Sequence, residues 1–277
     1  MKLACERVGS GEPLVLVHGV GHRRQAWYPV LDQLAEQREV VLVDLPGHGE
    51  SDPLVTDGRP PFAVLQDALR EFFIQQELDR PHVAGNSLGG RMALEAGVAG
   101  DARSVTALAP AGFWPSARSY AYSRTLFAVV GRVSQLLAPQ AERLAGTRPG
   151  RVLGYGWMAA HPTRIDPEQA FGDFLAFRAA QPALRVIVAS ATRFAGTVPG
   201  DVPVTIVWGT RDAVLPRSHA KLARAVLPSA DHVLLRSCGH VPMTDAPERV
   251  AGIILRGSSE RRAPSAPADG HGGFCAN

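Results

Sequence analysis

The sequence predicts an α/β fold: a mostly parallel sheet of about seven strands with helices on both faces and one helical cap inserted over it. Three observations point to this class. Short, continuously apolar runs rich in valine alternate with amphipathic stretches, which is the pattern of parallel strands buried on both faces. The alternation fails once, over residues 113–195, where helical stretches replace strands. One apolar run, 81–84, leads into Gly85-Asn86-Ser87-Leu88-Gly89, a serine between glycines of the kind found where a strand turns sharply into a helix.

Taken in order, the chain opens with a strand over 3–8, a tight turn at Gly9-Ser10-Gly11 and a buried strand over 13–17. Residues 26–38 carry Trp27, Val30, Leu31 and Leu34 at the spacing of one helix face. The all-apolar run 40–43 is a strand ending in Asp44. Residues 61–78 form a helix that starts with proline and places Phe62, Leu65, Leu69, Phe72 and Phe73 on one side. Val83 lies in the strand before the elbow, 88–98 is the helix after it, and further strands fall at 105–108, 204–208 and 233–235. Between 109 and 203 no strand is clear, but stretches such as 125–137 and 171–180 are helical and separated by Pro and Gly.

These signals divide the chain into a core of 1–112 and 196–256, a cap of 113–195, and a tail of 257–277. The cap would cover the C-terminal edge of the sheet, where ligands bind in open α/β folds. The tail contains no Leu, Ile or Val, so it is expected to be disordered and dispensable for catalysis.

Composition narrows the function classes. With 277 residues, 45% hydrophobic and 20% charged, the chain can build a substantial core. No stretch approaches the length of a membrane span and no apolar leader is visible, so a soluble cytoplasmic protein without a membrane partner is expected. A net charge of +3 with no aromatic and basic stripe argues against nucleic acid. Cys5, Cys238 and Cys275 are far apart and odd in number, which suggests neither disulfides nor zinc; no metal and no cofactor are expected. Two lysines against 27 arginines point to a GC-rich bacterial genome.

The chemistry centres on Ser87. The elbow backbone is so tight that the residues two before and two after the serine must be small, and Gly85 and Gly89 meet that demand. A serine hydroxyl needs a base to take its proton, and the base needs a third group to orient it. Asp212 follows the strand at Gly209-Thr210-Arg211, and His240 follows the last strand at Ser237-Cys238-Gly239. The order Ser, Asp, His, each on a loop after a strand, matches one of the three standard triad orders.

Four blocks in order, LVLVHGVG at 14–21, VDLPGHGESD at 43–52, VAGNSLGG at 83–90, and WGTRDAVLP with CGHVPM at 208–216 and 238–243, make the chain resemble the α/β-hydrolase superfamily over about residues 3–255. The resemblance implies Ser87 as nucleophile, His240 as general base and acid, Asp212 as its orienting partner, and the backbone N–H groups of Leu88 and Val20 as the oxyanion hole. Members usually carry one more antiparallel strand before the segment at 3–8, so seven strands are expected here. Relatives that open epoxides or displace halides use Asp at the elbow, and Ser87 disfavours those reactions.

Other residues have plainer readings. His18 and His22 straddle a strand end and a loop and are read as structural or pocket-lining, not as metal ligands. Asp44 and His48 lie in a loop block that the resemblance makes structural. No carboxylate stands at Ala109-Pro110-Ala111, the other place where relatives carry the acid. Of 18 aromatic residues, 11 fall within 113–195, among them Trp114, Tyr120, Tyr122, Tyr155, Trp157 and Phe177, which favours an apolar pocket under a lid. Trp114, Trp157 and Val241 are the candidate substrate-binding residues. The same stretch holds 10 Arg against 4 acids; solvated helix faces explain it best, and an anionic substrate or acyl carrier partner greeting Arg148 and Arg151 is the alternative.

The function expected is a serine hydrolase of the carboxylesterase kind, cleaving a small to medium apolar ester, thioester or lactone through an acyl-enzyme. One alternative is a carbon–carbon hydrolase of a vinylogous diketone, whose elbow GNSLGG resembles, although Val241 stands where that subfamily has an aromatic residue. Another is a hydrolase-like ligand receptor with slow turnover.

Overall fold

A computed structural model describes residues 1–259. Its framework is a seven-stranded sheet in the order β1-β3-β2-β4-β5-β6-β7, formed by β1 (Cys5–Val8), β2 (Pro13–Val17), β3 (Glu39–Val43), β4 (His82–Asn86), β5 (Ser104–Leu108), β6 (Val204–Gly209) and β7 (Asp231–Leu235). Only β1 runs antiparallel, against β3; all other pairs are parallel. The central strands are buried along their whole length, while β7 at the edge is mostly half-exposed or exposed.

Strand order dictates where the helices go. The step from β2 to β3 through α1 (Tyr28–Ala35) moves one way along the sheet. The steps through α2 (Pro61–Gln75), α3 (Leu88–Ala99) and, later, α9 (Arg217–Val226) move the other way. Right-handed crossovers therefore put α1 on one face, where it packs with α10 (Pro242–Asp245) and α11 (Pro247–Gly257), and α2, α3 and α9 on the opposite face. The loops leaving β2 and β4 diverge at this reversal, and the crevice between them is where a ligand site forms in open sheets.

Five helices between β5 and β6 form the inserted layer: α4 (Ala117–Leu136), α5 (Ala141–Gly146), α6 (Arg148–Tyr155), α7 (Pro167–Ala179) and α8 (Gln181–Ser190). The Ser116 and Ser119 side chains cap the start of α4 reciprocally, and the Asp166 carboxylate accepts from the amides of Glu168 and Gln169 at the start of α7. The layer rests on loops at the C-terminal ends of the strands. Phe177 and Leu184 lie over Gly21, Ala183 lies over Gly47, and the Tyr122 hydroxyl donates to the Ala213 carbonyl at 2.6 Å.

Several boundaries differ from the sequence expectation for physical reasons. The helix expected over 26–38 begins as a 3-10 turn, Arg24–Trp27, and is α-helical only over Tyr28–Ala35. The helix expected over 61–78 stops at Gln75. Glu77 takes φ +56°, and the amides of Glu77 and Leu78 donate back to the carbonyls of Ile74 and Phe73, the reciprocal pair that closes a helix end. The first and last strands span 5–8 and 231–235, compared with the expected 3–8 and 233–235. Helix α11 reaches Gly257 and the Ser258 amide donates to the Ile254 carbonyl, so the first residues of the expected tail complete a helix; 260–277 lie outside the described residues. Among the described residues no helix is long and apolar enough to cross a membrane.

Candidate active site

Ser87 sits between the end of β4 and the start of α3 with φ +57° and ψ −111°, a conformation that L-residues rarely adopt. The strain is held by the surroundings: the Ser87 amide donates to the Leu108 carbonyl at 2.8 Å, and its carbonyl accepts from Arg91 and Ala111. A Cβ on Gly85 would overlap the backbone of Gly89, and one on Gly89 would overlap the Val17 carbonyl, so only glycine lets β4, α3 and the end of β2 approach this closely.

The loop after β2 brings a second set of groups to the crevice. His18 is fully buried; its Nδ1 lies 2.8 Å from the Gly19 carbonyl, and its Nε2 accepts from the Leu45 amide at 3.0 Å. That acceptor role fixes the proton on Nδ1. Burial, reinforced by His48, holds the ring's pKa well below its ordinary value, so it stays neutral and locks the loop. Gly19 lies so close to Ser87 that a Cβ on it would stand 3.2 Å from the serine's own Cβ. Among the described residues, neither the Val20 amide nor the Leu88 amide is spent on a protein acceptor. Two free N–H groups therefore flank the serine, one of them at a helix N-terminus.

Asp212 and His240 meet across the ends of β6 and β7. Asp212 Oδ1 accepts from the amides of Val214 at 2.9 Å and Leu215 at 2.8 Å, which leaves Oδ2 to face His240 Nδ1 at 2.9 Å. Both side chains are buried, and His240 Nε2 is buried without a partner. The His240 main chain is anchored on two sides. Its carbonyl accepts from the Asn86 side-chain amide at 2.9 Å, tying it to the residue before Ser87, and its own amide donates to the Met158 carbonyl at 2.7 Å.

This second anchor belongs to a larger clamp between the helical insertion and the histidine loop. The Met158 carbonyl also accepts from the Val241 amide at 3.1 Å. Asp245, buried beneath the same loop, accepts from the amides of Gly239 at 2.7 Å, Ala160 at 3.0 Å and His161 at 2.7 Å. Sequence reasoning does not single out Asp245, because its partners are backbone amides, two of them more than 80 residues away, and no pattern of residue types marks them.

The remaining expected residues have distinct places. A cavity of about 290 Å³ lies under α4, α6 and α7, and Val20, Gly21, His22, Trp157, Met158 and Phe177 are among its walls. Trp157 lines it and meets Phe127 and Phe177 edge to face. Trp114 is buried outside that lining and packs its ring on Tyr120, and Val241 is buried behind the cavity wall at the Met158 carbonyl. Val129, Val133 and Leu153 line the cavity yet remain 49%, 41% and 62% exposed, which locates its mouth between α4 and α6.

Asp44 is fully buried and accepts from the Arg24 side chain and from the amides of Arg24 and Glu50, so it shapes its loop. His48 Nδ1 donates to the Pro46 carbonyl at 3.0 Å, and burial pushes its pKa down to about 4. Arg151 is buried and donates to the Ala145 carbonyl, so it serves the insertion's own packing, whereas Arg148 is exposed.

Comparison with known proteins gives a consistent outcome. Residues 14–253 match the family described as "Alpha/beta hydrolase family". The chain is 30% identical over 275 residues to an uncharacterized protein of Mycobacterium tuberculosis, covering 90% of this chain and 75% of that protein. It is 26% identical to Lipase 3 of a Moraxella species, covering 86% and 74%. Among solved structures, a meta-cleavage product hydrolase from Pseudomonas fluorescens superimposes with a TM-score of 0.69 over 92% of this chain and 93% of that one, at 17% identity, a likeness of fold.

Proposed function

We propose, on the premise that this chain belongs to the alpha/beta hydrolase family, that it is a serine hydrolase cleaving a carboxylic ester, thioester or lactone of a small to medium apolar substrate. The observation that carries this reading is the Asp212–His240 pair at 2.9 Å, with the opposite ring nitrogen of His240 buried and unpartnered, not hydrogen-bonded to Ser87, and the His240 carbonyl tied to Asn86, the residue before the elbow serine. A neutral His240 that donates from Nδ1 to Asp212 presents a lone pair at Nε2, the form a general base requires.

In the reaction, Ser87 Oγ bonds to the substrate carbonyl carbon as His240 Nε2 takes its proton. The amides of Val20 and Leu88 hold the oxyanion, and Asp212 stabilises the imidazolium. His240 then returns the proton to the leaving group as the carbon–oxygen or carbon–sulfur bond breaks. Water then bonds to the acyl carbon as His240 takes its proton, and His240 passes that proton to Ser87 Oγ as the acyl–oxygen bond breaks and the acid leaves. The unspent Val20 and Leu88 amides and the mainly apolar cavity beside Val20 support the substrate class.

The test is labelling with a fluorophosphonate followed by a p-nitrophenyl ester chain-length panel. Ser87 should carry the label, and Ser87→Ala should lose on the order of 10⁴ to 10⁶ in kcat. Full esterase activity in Ser87→Ala would overturn the assignment. Consumption of a ring-fission diketone with no ester turnover would instead select carbon–carbon hydrolysis.

A further inference from the structure

The polar side chains of the cavity under α4, α6 and α7 are not equivalent. Ser134, Tyr155 and Trp157 all spend their donors within the protein, on the carbonyls of Gly131, Ala170 and Gly154. His22 and Asp173 differ from them. The Nδ1 of His22 is buried without a partner, and Asp173, itself buried, uses Oδ1 for Arg23 Nε at 3.0 Å, with no hydrogen bond to Oδ2 among the described residues. A buried ring nitrogen left unpaired costs about 1–3 kcal/mol, and in the same chamber Asp173 keeps one carboxylate oxygen without a protein donor among the described residues, so the two stand out in an otherwise apolar lining.

Position and charge say what would satisfy them. His22 lies on the cavity wall two residues beyond Val20, on the loop whose Gly19 packs against Ser87. Burial keeps its imidazole neutral, with its pKa lowered despite the nearby Asp173 carboxylate and further by His240. The Arg23 guanidinium already balances Asp173, so the chamber carries no net charge there to attract a cation, and a ligand carboxylate would meet the Asp173 oxygens. A carboxylate oxygen only accepts, whereas a neutral imidazole can donate from one nitrogen. A hydroxyl group can donate to the first and accept from the second.

We propose, resting on the serine hydrolase reading above, that His22 and Asp173 form a polar subsite selecting substrates whose apolar chain carries a hydroxyl group a few bonds from the scissile carbonyl. The rest of that chain lies on Val130, Phe174 and Phe177. The Arg23–Asp173 ion pair joins the loop after β2 to α7 and holds the subsite in place. A site built to hydrogen-bond a substrate hydroxyl rejects the analogue without it, because the protein's own groups are then left unpaired.

The experiment compares p-nitrophenyl hexanoate with its 3-hydroxy and 6-hydroxy derivatives on the full-length protein. At least one hydroxylated ester should show kcat/KM about tenfold or more above hexanoate, the value of a single well-made hydrogen bond. In His22→Phe and in Asp173→Leu that ratio should fall to within about twofold, with folding of each variant checked by near-ultraviolet circular dichroism. Equal use of all three esters by the wild-type protein would overturn the subsite while leaving the serine hydrolase reading intact. Absence of both ester turnover and fluorophosphonate labelling of Ser87 would overturn that reading and the subsite with it.

Discussion

Asp245→Ala probes the coupling between the helical insertion and the histidine loop. Its carboxylate accepts three amide hydrogen bonds, from Gly239 on the loop and from Ala160 and His161 on the insertion. Bonds to a charged acceptor contribute roughly 1.5–3 kcal/mol each, and removing the acceptor leaves all three donors to find new partners. Water can reach the half-buried amides of Ala160 and His161, so a net loss of about 3 kcal/mol is the reasonable sum, chiefly from Gly239. For a domain somewhat under this size, 1 kcal/mol moves Tm by about 2–4 °C, which gives a fall of about 6–12 °C by calorimetry.

A second readout separates coupling from simple loss of stability. Gly239 is bonded to His240, the proposed general base, and a displacement of about 1 Å at such a group can cost on the order of a hundredfold. At a temperature well below the variant's Tm, kcat on a p-nitrophenyl ester should therefore drop by about tenfold or more, and Asp245→Asn should fall between alanine and wild type. A Tm within about 2 °C of wild type, together with kcat within about twofold, would refute the clamp.

Three further outcomes follow from the geometry. Asp212→Asn should lower kcat by roughly 10²–10⁴ in steady-state assays, because an amide nitrogen facing His240 Nδ1 favours the wrong tautomer. Gly89→Ala should yield little folded protein on size exclusion, since its Cβ has no space beside the Val17 carbonyl. His219 is buried with neither ring nitrogen bonded, and burial, opposed by Asp212, holds its pKa down to about 4. Between that value and about 6.5 the unfolded chain binds a proton the native state does not, so stability is lost as pH falls through this window, at up to about 1.4 kcal/mol per pH unit per group. His219→Phe should flatten that slope in urea titrations at pH 4.5 to 7; an unchanged slope would rule out its contribution.

Much of the framework was legible because short apolar runs such as 40–43 and 206–208, alternating with amphipathic stretches, fit strands of a parallel sheet buried on both faces, and because the elbow demands glycine at fixed offsets. Ser87, Asp212 and His240 were readable since each follows a strand, and the structure brings Asp212 and His240 into contact. Helix ends were less legible: Glu77 at φ +56° closes α2 although glutamate is no usual signal for that conformation. The insertion was least legible. Helices α5 and α6 are short and carry Gly and Pro, and their arrangement depends on contacts such as Arg151 with the Ala145 carbonyl that leave no periodic mark. The meeting of His22 and Asp173 on one cavity lining spans 151 positions between two separate layers, so neither residue announces the other.

The crowding at Gly85 and Gly89 has a practical consequence for engineering. Because no side chain larger than hydrogen fits at either position, a mutational library aimed at the elbow would return mainly unfolded variants. The walls contributed by Val129, Val133 and Leu153 face solvent on one side and tolerate exchange far better. On the proposed function, diversifying the cavity mouth should retune substrate range with Ser87, Asp212 and His240 untouched, and laboratory evolution should concentrate its changes there.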